Sequence, residues 1–503
     1  RTRDWTHETG ELAGRFQVLV DGKPVEHIFG IRSADWGWQD GGVVELGRTA
    51  ELRLHDLTGF DARCDAIWLR ADLERKPAED EHDLAALRRM PYASQREPEE
   101  GGRYDLIVVR AGVAGICAAV GAARLGLRTA LVECRDVLGG NNSSRVRIHI
   151  SARTNMEPWP NLGNLTREMG ATRRLTRPWM TEKFLAGDRQ KGELVAAEDN
   201  LAVLTGHHVL DVEKRGDAIG AAIVLDQSTG RLVRLRAPFF CDASGDGDLA
   251  VAAGCEYHIG RESRDIYNEP RAPEQGDDQV LGATLHWFSG EGDDGFEFPQ
   301  TSWALPVDDA TAWPTKKSAW NWEAGYWINQ ATHGEQTRDL LLRSIFGNWS
   351  FLKHDPGRRK NFRKYALQWC SYNLGRRESR RILGDAVLTQ NDTPSTGEKY
   401  PDAAVPCTWG IDVHVPRNTY VKYLGKQAFK SRALHHVRGQ TRAVMPYRSL
   451  YARGVSNCFL AGRCASMSHM AHAMFRCQRT TGMMGEVVAM AAAGKHDLQV
   501  NGV

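Results

Sequence analysis

Over residues 1–75, apolar and polar positions alternate with a period of two in four runs, 15–20, 43–46, 50–54 and 66–69. Asp21-Gly22 and Asp40-Gly41-Gly42 separate some of them. That pattern predicts a small antiparallel β domain. The strands are few for a complete sandwich, so further strands are expected upstream of Arg1. Residues 76–102 are charged, carry Pro and Gly, and predict a linker with one short helix.

After the linker the pattern changes. An apolar run at 106–109 predicts a buried parallel strand. A Gly-containing turn and a small-residue helix, 114–125, follow it. A second strand, 129–132, ends on Glu133. More strands are expected at 201–204, 218–225 and 232–240. The last runs into Asp242-Ala243-Ser244-Gly245-Asp246-Gly247 and a small apolar run at 249–253. Residues 260–440 are mixed, with helices expected near 334–346 and 358–380. Strand 458–460 leads into Ala461-Gly462-Arg463, and a final small-residue helix covers 480–493. The expected layout is an incomplete β-sandwich-like module (1–75), a linker (76–102), an α/β domain in two pieces (103–260 and 441–503) and an inserted substrate domain (261–440).

Length and composition fit this layout. A chain of 503 residues suggests two or three domains. A net charge of +2 gives no electrostatic case for binding nucleic acid or a membrane surface. No apolar run approaches the roughly 18 residues of a bilayer span. The polar start, Arg1-Thr2-Arg3-Asp4-Trp5, does not read as a signal peptide. A cytoplasmic location is expected, or an exported, periplasmic one if a leader lies upstream. The ten cysteines form no Cys-x-x-Cys, so reduced thiols are expected and no metal site.

The βαβ unit carries the first chemical signal. Such units place a diphosphate at the helix N-terminus, where free N–H groups and the helix dipole favour negative charge. An acidic residue about 20 positions beyond the turn suits a ribose hydroxyl pair; here it is Glu133. The glycine pattern departs from Gly-x-Gly-x-x-Gly, reading Arg110-Ala111-Gly112-Val113-Ala114-Gly115. Arg110 either reaches the diphosphate or obstructs the turn. A βαβ unit that has lost its ligand is the alternative.

Three separated pieces share one resemblance: this unit, Asp242–Gly247, and Phe459-Leu460-Ala461-Gly462-Arg463 with Thr480-Thr481-Gly482-Met483-Met484-Gly485. The chain resembles the FAD-dependent oxidoreductases of the glutathione-reductase-type Rossmann superfamily. More closely, it is similar to a bacterial group with an N-terminal β-sandwich like those of carbohydrate-binding modules. Further similar segments are Leu138-Gly139-Gly140-Asn141-Asn142-Ser143-Ser144, Glu378-Ser379-Arg380-Arg381 and Val444-Met445-Pro446-Tyr447. The resemblance implies FAD as cofactor and an α/β, FAD-binding Rossmann-like fold with an inserted substrate domain. It implies that Arg110, Gly112, Ala114, Gly115 and Glu133 hold the ADP half. Gly139, Gly140, Asn141 and Ser143 would approach the diphosphate or flavin. Gly245, Asp246, Gly462 and Arg463 would pass close to the cofactor, and Thr481, Gly482 and Met483 would face the flavin ring.

Flavin oxidation of a C–H bond also needs a proton acceptor and substrate-orienting groups. The candidates are His469 and His472, just before the last helix, and Asp412 with His414, two apart on a strand and so on one face. Arg380, with Arg381, Arg476 and Arg479 beside it as further candidates, offers forks for an anion. Each has a structural alternative in an ion pair or a carbonyl contact. Trp320, Trp322 and Trp327 would wall a sugar site or fill the core. The expected function is hydride transfer between flavin and a small polar substrate, carbohydrate or polyol-like. The alternatives are reduction of an activated double bond in an acid, and a non-catalytic subunit with a decayed site. The sequence names neither the electron acceptor nor the oligomeric state, and a homo-oligomer stays open.

Overall fold

A computed structural model describes residues 1–2, 13–31, 36–58, 62–72, 77, 97–169, 177, 179–293, 295–318, 321–392, 399–435 and 443–494. The chain divides into two compact units. The first comprises 1–94, 294–314 and 342–364; the second comprises 95–293, 315–341 and 365–503.

In the first unit, strands β1 (Phe16–Val20), β2 (Lys23–Pro24) and β3 (Leu52–Asp56) form an antiparallel sheet in the order β2-β1-β3. Phe16, Val18 and Phe29 make its small core. The expected strands at 43–46 and 66–69 are extended or irregular chain without ladder partners. Val43 is 78% exposed, so its alternation with polar neighbours reflects no buried face. The described residues hold a single three-stranded sheet here and no second one facing it. Elsewhere in this unit Trp349 is buried edge-on against Phe362.

The second unit begins where a linker was expected. Residues 78–96 of that expected linker and short helix lie outside the described residues, but β4 (Glu99–Arg103) is a strand. Its charged residues sit at an ion-paired edge, Glu100 bonding Arg234 and Arg236. That pairing gives a polar run a place in a sheet.

The centre of the unit is a parallel sheet. It contains β5 (Leu106–Val109), followed by helix α1 (Val113–Arg124), and β6 (Thr129–Glu133). After a short helix, α2 (Asn164–Glu168), come β7 (Leu201–Thr205) and a meander of β8 (His207–Arg215), β9 (Ala218–Asp226) and β10 (Arg231–Arg236). β10 also pairs with β4. The expected single run at 232–240 breaks at Pro238, which has no N–H for a ladder. The chain resumes as β11 (Phe239–Asp242), ahead of α3 (Asp248–Ala252).

The region 260–440 differs most from expectation. A helix does run from Gly334 to His354. The second expected helix, 358–380, is one short turn, Arg359–Phe362, and then a strand, Tyr365–Cys370, paired with Trp287–Glu291. Tertiary pairing outweighs the helical pattern there. Strands β12 (Asp412–Pro416) and β13 (Ser431–His435) form a hairpin-like antiparallel pair.

The last segment supplies β14 (Cys458–Leu460), α4 (His469–Phe475) and α5 (Gln478–Ala492). The parallel sheet is ordered β14-β11-β5-β6-β7. Helix α5 lies against α1 because both are lined with small residues. A Cβ on Gly485 would collide with the Ala114 carbonyl oxygen, and one on Gly482 with Thr166. Burial of Val108, Ile116, Leu131, Phe240, Met484 and Val488 joins sheet and helices in one core.

Candidate functional site

The start of α1 is built by a turn in a left-handed conformation. Arg110 has φ 79°, the geometry ordinarily given to glycine. Five residues on, a Cβ at Gly115 would strike the Arg110 carbonyl oxygen, so only glycine fits. Gly112 is the N-cap of α1 without a side-chain cap, and nothing lies within 4 Å of a Cβ placed there. The start of the helix therefore has open space on the side where a Gly112 side chain would stand. Ala114 is buried on the first turn.

Glu133 closes this turn from the tip of β6. Its Oε2 accepts from Ala111 N at 2.7 Å and its Oε1 from Arg135 N at 3.0 Å. Arg110 Nη1 is 3.6 Å from the same carboxylate, and its Nη2 is 3.6 Å from Asp248. The next loop abuts the turn, with Gly139 N donating to Ala111 O at 2.7 Å. Gly139 and Gly140 both have positive φ. Asn141 donates to Arg376 O at 2.9 Å, tying this loop to a distant segment, and Ser143 donates to Gly140 O at 2.7 Å, bracing the loop itself.

Beyond β11, Gly245 leaves room for the Arg463 guanidinium, which would contact a Cβ there. Asp246 is paired with Arg376 and lies 3.4 Å from Arg463 Nη2, and it accepts from Ser379 Oγ at 2.6 Å. Burial alone would raise its pKa; Arg376 and Arg463 hold it well below the ordinary carboxylate range. Arg463 Nη1 is buried without a partner. It follows Gly462, whose φ is 107°. Arg380, expected as an anion fork, instead donates to Asp246 O at 2.7 Å and pairs with Asp248 at 2.8 Å. It holds the 242–248 turn in shape.

Helix α5 starts two residues earlier than expected. Cys477 is its N-cap with no side-chain cap, and Gln478 to Thr480 form the first turn. Thr481 N already bonds Cys477 O. Thr481, Gly482 and Met483 thus lie inside the helix, with Gly482 against α1 and Met483 fully buried, rather than at its open end. Gln478 Nε2 donates to Ile148 O and His149 O, both at 3.3 Å.

Two of the candidate imidazoles, His469 and His414, are held by carboxylates. His469, the first residue of α4, is 3% exposed, and its Nδ1 lies 2.9 Å from Glu378. Its Nε2 is buried without a partner. Glu378 also pairs with Arg381. Burial opposes its ionisation, but His469 and Arg381 bring its pKa to about 2. Ser468 Oγ accepts from Ala471 N at 3.1 Å, capping α4 and fixing where the helix begins. His472, one turn on, is fully buried with neither ring nitrogen partnered, and burial lowers its pKa to about 3. It is neutral at physiological pH.

His414 lies between two carboxylates. Its Nδ1 is 2.6 Å from Glu323 Oε1 and its Nε2 is 3.3 Å from Asp412 Oδ2. The expected Asp412–His414 pair is thus in contact, with Glu323 on its other side. Of the tryptophans, Trp322 is wholly buried, edge-on to Trp287 and stacked on Phe429, so it is core. Trp320 lies outside the described residues. Sequence reasoning passed over Glu378, Glu323 and Arg376. Only the Glu378–Arg381 segment carried a local signal.

The profile of the FAD-dependent oxidoreductase family matches residues 105–501. The chain belongs to that family. FAD is its cofactor. No curated protein matches the chain. Among solved structures it is similar to the flavin-dependent monooxygenase PieE, at 16% identity and TM-score 0.24, covering 38% of this chain and 36% of that enzyme. The chain thus spans about a third of that enzyme's length. It is similar to OxyS anhydrotetracycline hydroxylase from Streptomyces rimosus, at 12% identity and TM-score 0.35, covering 78% and 63%. It is also similar to Mycobacterium smegmatis Sdh1, at 13% identity and TM-score 0.34, covering 79% and 69%.

The residues present fit FAD. A glycine-walled, uncapped helix start stands beside open space, with a buried carboxylate at the neighbouring strand tip and an arginine nitrogen unpaired nearby. Gly112, Ala114, Gly115 and Glu133 would hold the adenosine end. Gly139, Gly140, Gly245, Asp246, Gly462 and Arg463 would line the rest. When bound, FAD supplies the two-electron acceptor that no side chain provides. Among the described residues, no helix is long and apolar enough to cross a membrane.

Proposed function

We propose that this flavoprotein moves a hydride between a small polar organic substrate and FAD, with His469 taking up the accompanying proton. One observation carries the assignment of the base. Glu378 holds His469 Nδ1 at 2.9 Å while Nε2 is left without a partner. A carboxylate in that position fixes the ring and the tautomer and leaves the other nitrogen to accept a proton. His414 has both nitrogens engaged, which suits it less to that role. His472, neutral and one turn away, has the same face of α4 and is a neighbour of the base.

In this reading residues 103–260 and 441–503 bind FAD and 261–440 bind substrate. A carbohydrate or polyol substrate draws support from the tryptophan content of the insert, though Trp322 contributes only to the core. The second reading, reduction of an activated double bond in an acid, is favoured by Arg476 and Arg479, whose Nε atoms are buried without partners beside the start of α5. The ten unpaired thiols support a reducing compartment, the cytoplasm. The test is anaerobic mixing of the purified yellow protein with sugars, polyols and hydroxy acids, followed at the flavin band. Bleaching by any of them supports oxidation. No bleaching, with rapid reoxidation of dithionite-reduced flavin by an unsaturated acid, would favour the second reading.

A further inference from the structure

A line of titratable groups runs from the surface to the interior of the second unit. His435, on β13, is exposed, and its Nδ1 lies 3.4 Å from Asp412 Oδ1. The two residues are direct cross-strand partners on β12 and β13, which places their side chains on one face. Asp412 Oδ2 is 3.3 Å from His414 Nε2. On the far side, His414 Nδ1 is 2.6 Å from Glu323 Oε1. Glu323 is fully buried, and Tyr326 donates its hydroxyl to Glu323 Oε2 at 3.3 Å. Side-chain exposure falls from 38% at His435 to 9%, 6% and 0% at Asp412, His414 and Glu323. The two inner steps are hydrogen bonds. The outer one, His435 to Asp412, is an ion-pair contact at 3.4 Å, across which a small turn of the exposed imidazole would complete the line to Asp412 Oδ1, which has no hydrogen-bond partner.

A structural ion-pair cluster needs fewer members. Arg377 Nη2 already neutralises Glu323 at 2.8 Å, and Arg476 Nη2, which donates to the Asp412 backbone carbonyl at 3.1 Å, lies 3.8 Å from Asp412 Oδ2. Each carboxylate therefore has a cation of its own, and the imidazole between them is not required for charge balance. Such an imidazole can receive a proton on one nitrogen and release one from the other. Arg476 also ties this line to the start of α5, because it directly precedes Cys477, the N-cap of that helix.

The geometry points to a proton relay, His435–Asp412–His414–Glu323, that equilibrates the interior beside α5 with solvent. For each proton entering at one end, one leaves at the other; no electrons move and net charge is unchanged. The relay rests on the hydride-transfer reading, which requires protons to cross a buried site in each turnover. Besides Tyr326, the charged groups facing it are Arg377, Arg476 and Lys430. Burial, then Arg417, lowers the Lys430 pKa to about 6, so near neutral pH this amine adds little positive charge.

The test follows histidine ring-nitrogen signals against pH in the full, FAD-loaded chain labelled at histidine. Coupled groups titrate in shared steps. His414 and His435 are expected to show the same two inflections. Asp412→Asn should leave His435 with a single inflection. His435→Gln, at an exposed position that threatens folding least, should remove one inflection from His414. Independent titration in the wild type, or coupling that survives both substitutions, overturns the relay. The flavin spectrum of the same samples judges the underlying reading separately. Coupling without bound flavin would sink that reading alone, and flavin without coupling would sink the relay alone.

Discussion

The Arg110 guanidinium lies 3.6 Å from the Glu133 carboxylate, so the side chain standing at the first glycine position is paired with the acid at the tip of β6. The substitution has not rebuilt the turn. Arg110 keeps a left-handed φ of 79° and projects its side chain onto Glu133 and Asp248. The backbone therefore retains the form that suits a dinucleotide, at the cost of strain in a residue with a Cβ.

Arg110→Gly should relieve that strain and stabilise the apoprotein by about 1 kcal/mol, the scale for an L-residue held in the left-handed region. Flavin content should be kept or raised. The absorbance ratio of flavin to protein and a thermal melt both read it. Loss of flavin in this variant would show that Arg110 itself holds the diphosphate.

Glu133→Ala should weaken FAD binding by about 1–3 kcal/mol, the range for leaving charged hydrogen-bond partners unmatched. Ala111 N and Arg135 N also lose their acceptor, so the turn loosens with the ribose contact. Titration of apoprotein with FAD, followed by flavin fluorescence, measures it. An unchanged affinity would remove Glu133 from the site.

His469→Ala should bind FAD but reduce it 10²–10⁴-fold more slowly with its substrate, the usual scale for a lost general base. The deficit should shrink as pH rises, because solvent base then competes. Glu378→Gln should give a smaller loss and displace the pH profile, since the imidazole stays while its orienting carboxylate goes. A His469→Ala protein that keeps near wild-type reduction would pass the role to His414.

Glu486 gives a pH prediction for stability. It accepts from Gly163 N at 2.7 Å and Leu165 N at 3.1 Å, fastening α5 to the start of α2. Burial raises its pKa to about 7 from an ordinary 4.5. A folded pKa above the unfolded one means the folded state binds the proton more tightly. The contribution is therefore full below pH 4.5 and is lost as pH rises through about 7. The loss is on the order of 3 kcal/mol. Glu486→Gln should flatten this slope in urea melts between those limits. A slope that persists in the variant would assign it to other groups.

Much of the nucleotide-binding half could be read directly from the sequence. The strand at 106–109, the helix after it, the strand ending on Glu133 and the small-residue last helix all formed within a residue or two of expectation. Each is a contiguous pattern whose cause is local. Apolar runs bury as central strands, and glycines mark positions where backbone must approach backbone. The chain alone thereby determined the fold class and a dinucleotide-type turn; FAD in particular followed from the resemblance to a known family.

Tertiary structure decided the rest. Alternation at 43–46 produced no strand because no partner strand pairs with it, while a charged stretch became β4 because β10 offered arginines. The helical pattern at 358–380 gave way to a strand once Trp287–Glu291 lay alongside. The histidines were visible, but what holds them was not. Glu378 meets His469, and Glu323 meets His414, each across 91 residues of chain. A proton acceptor is defined by which of its two nitrogens is left free. That depends on partners brought together by folding, which no local pattern of residues encodes.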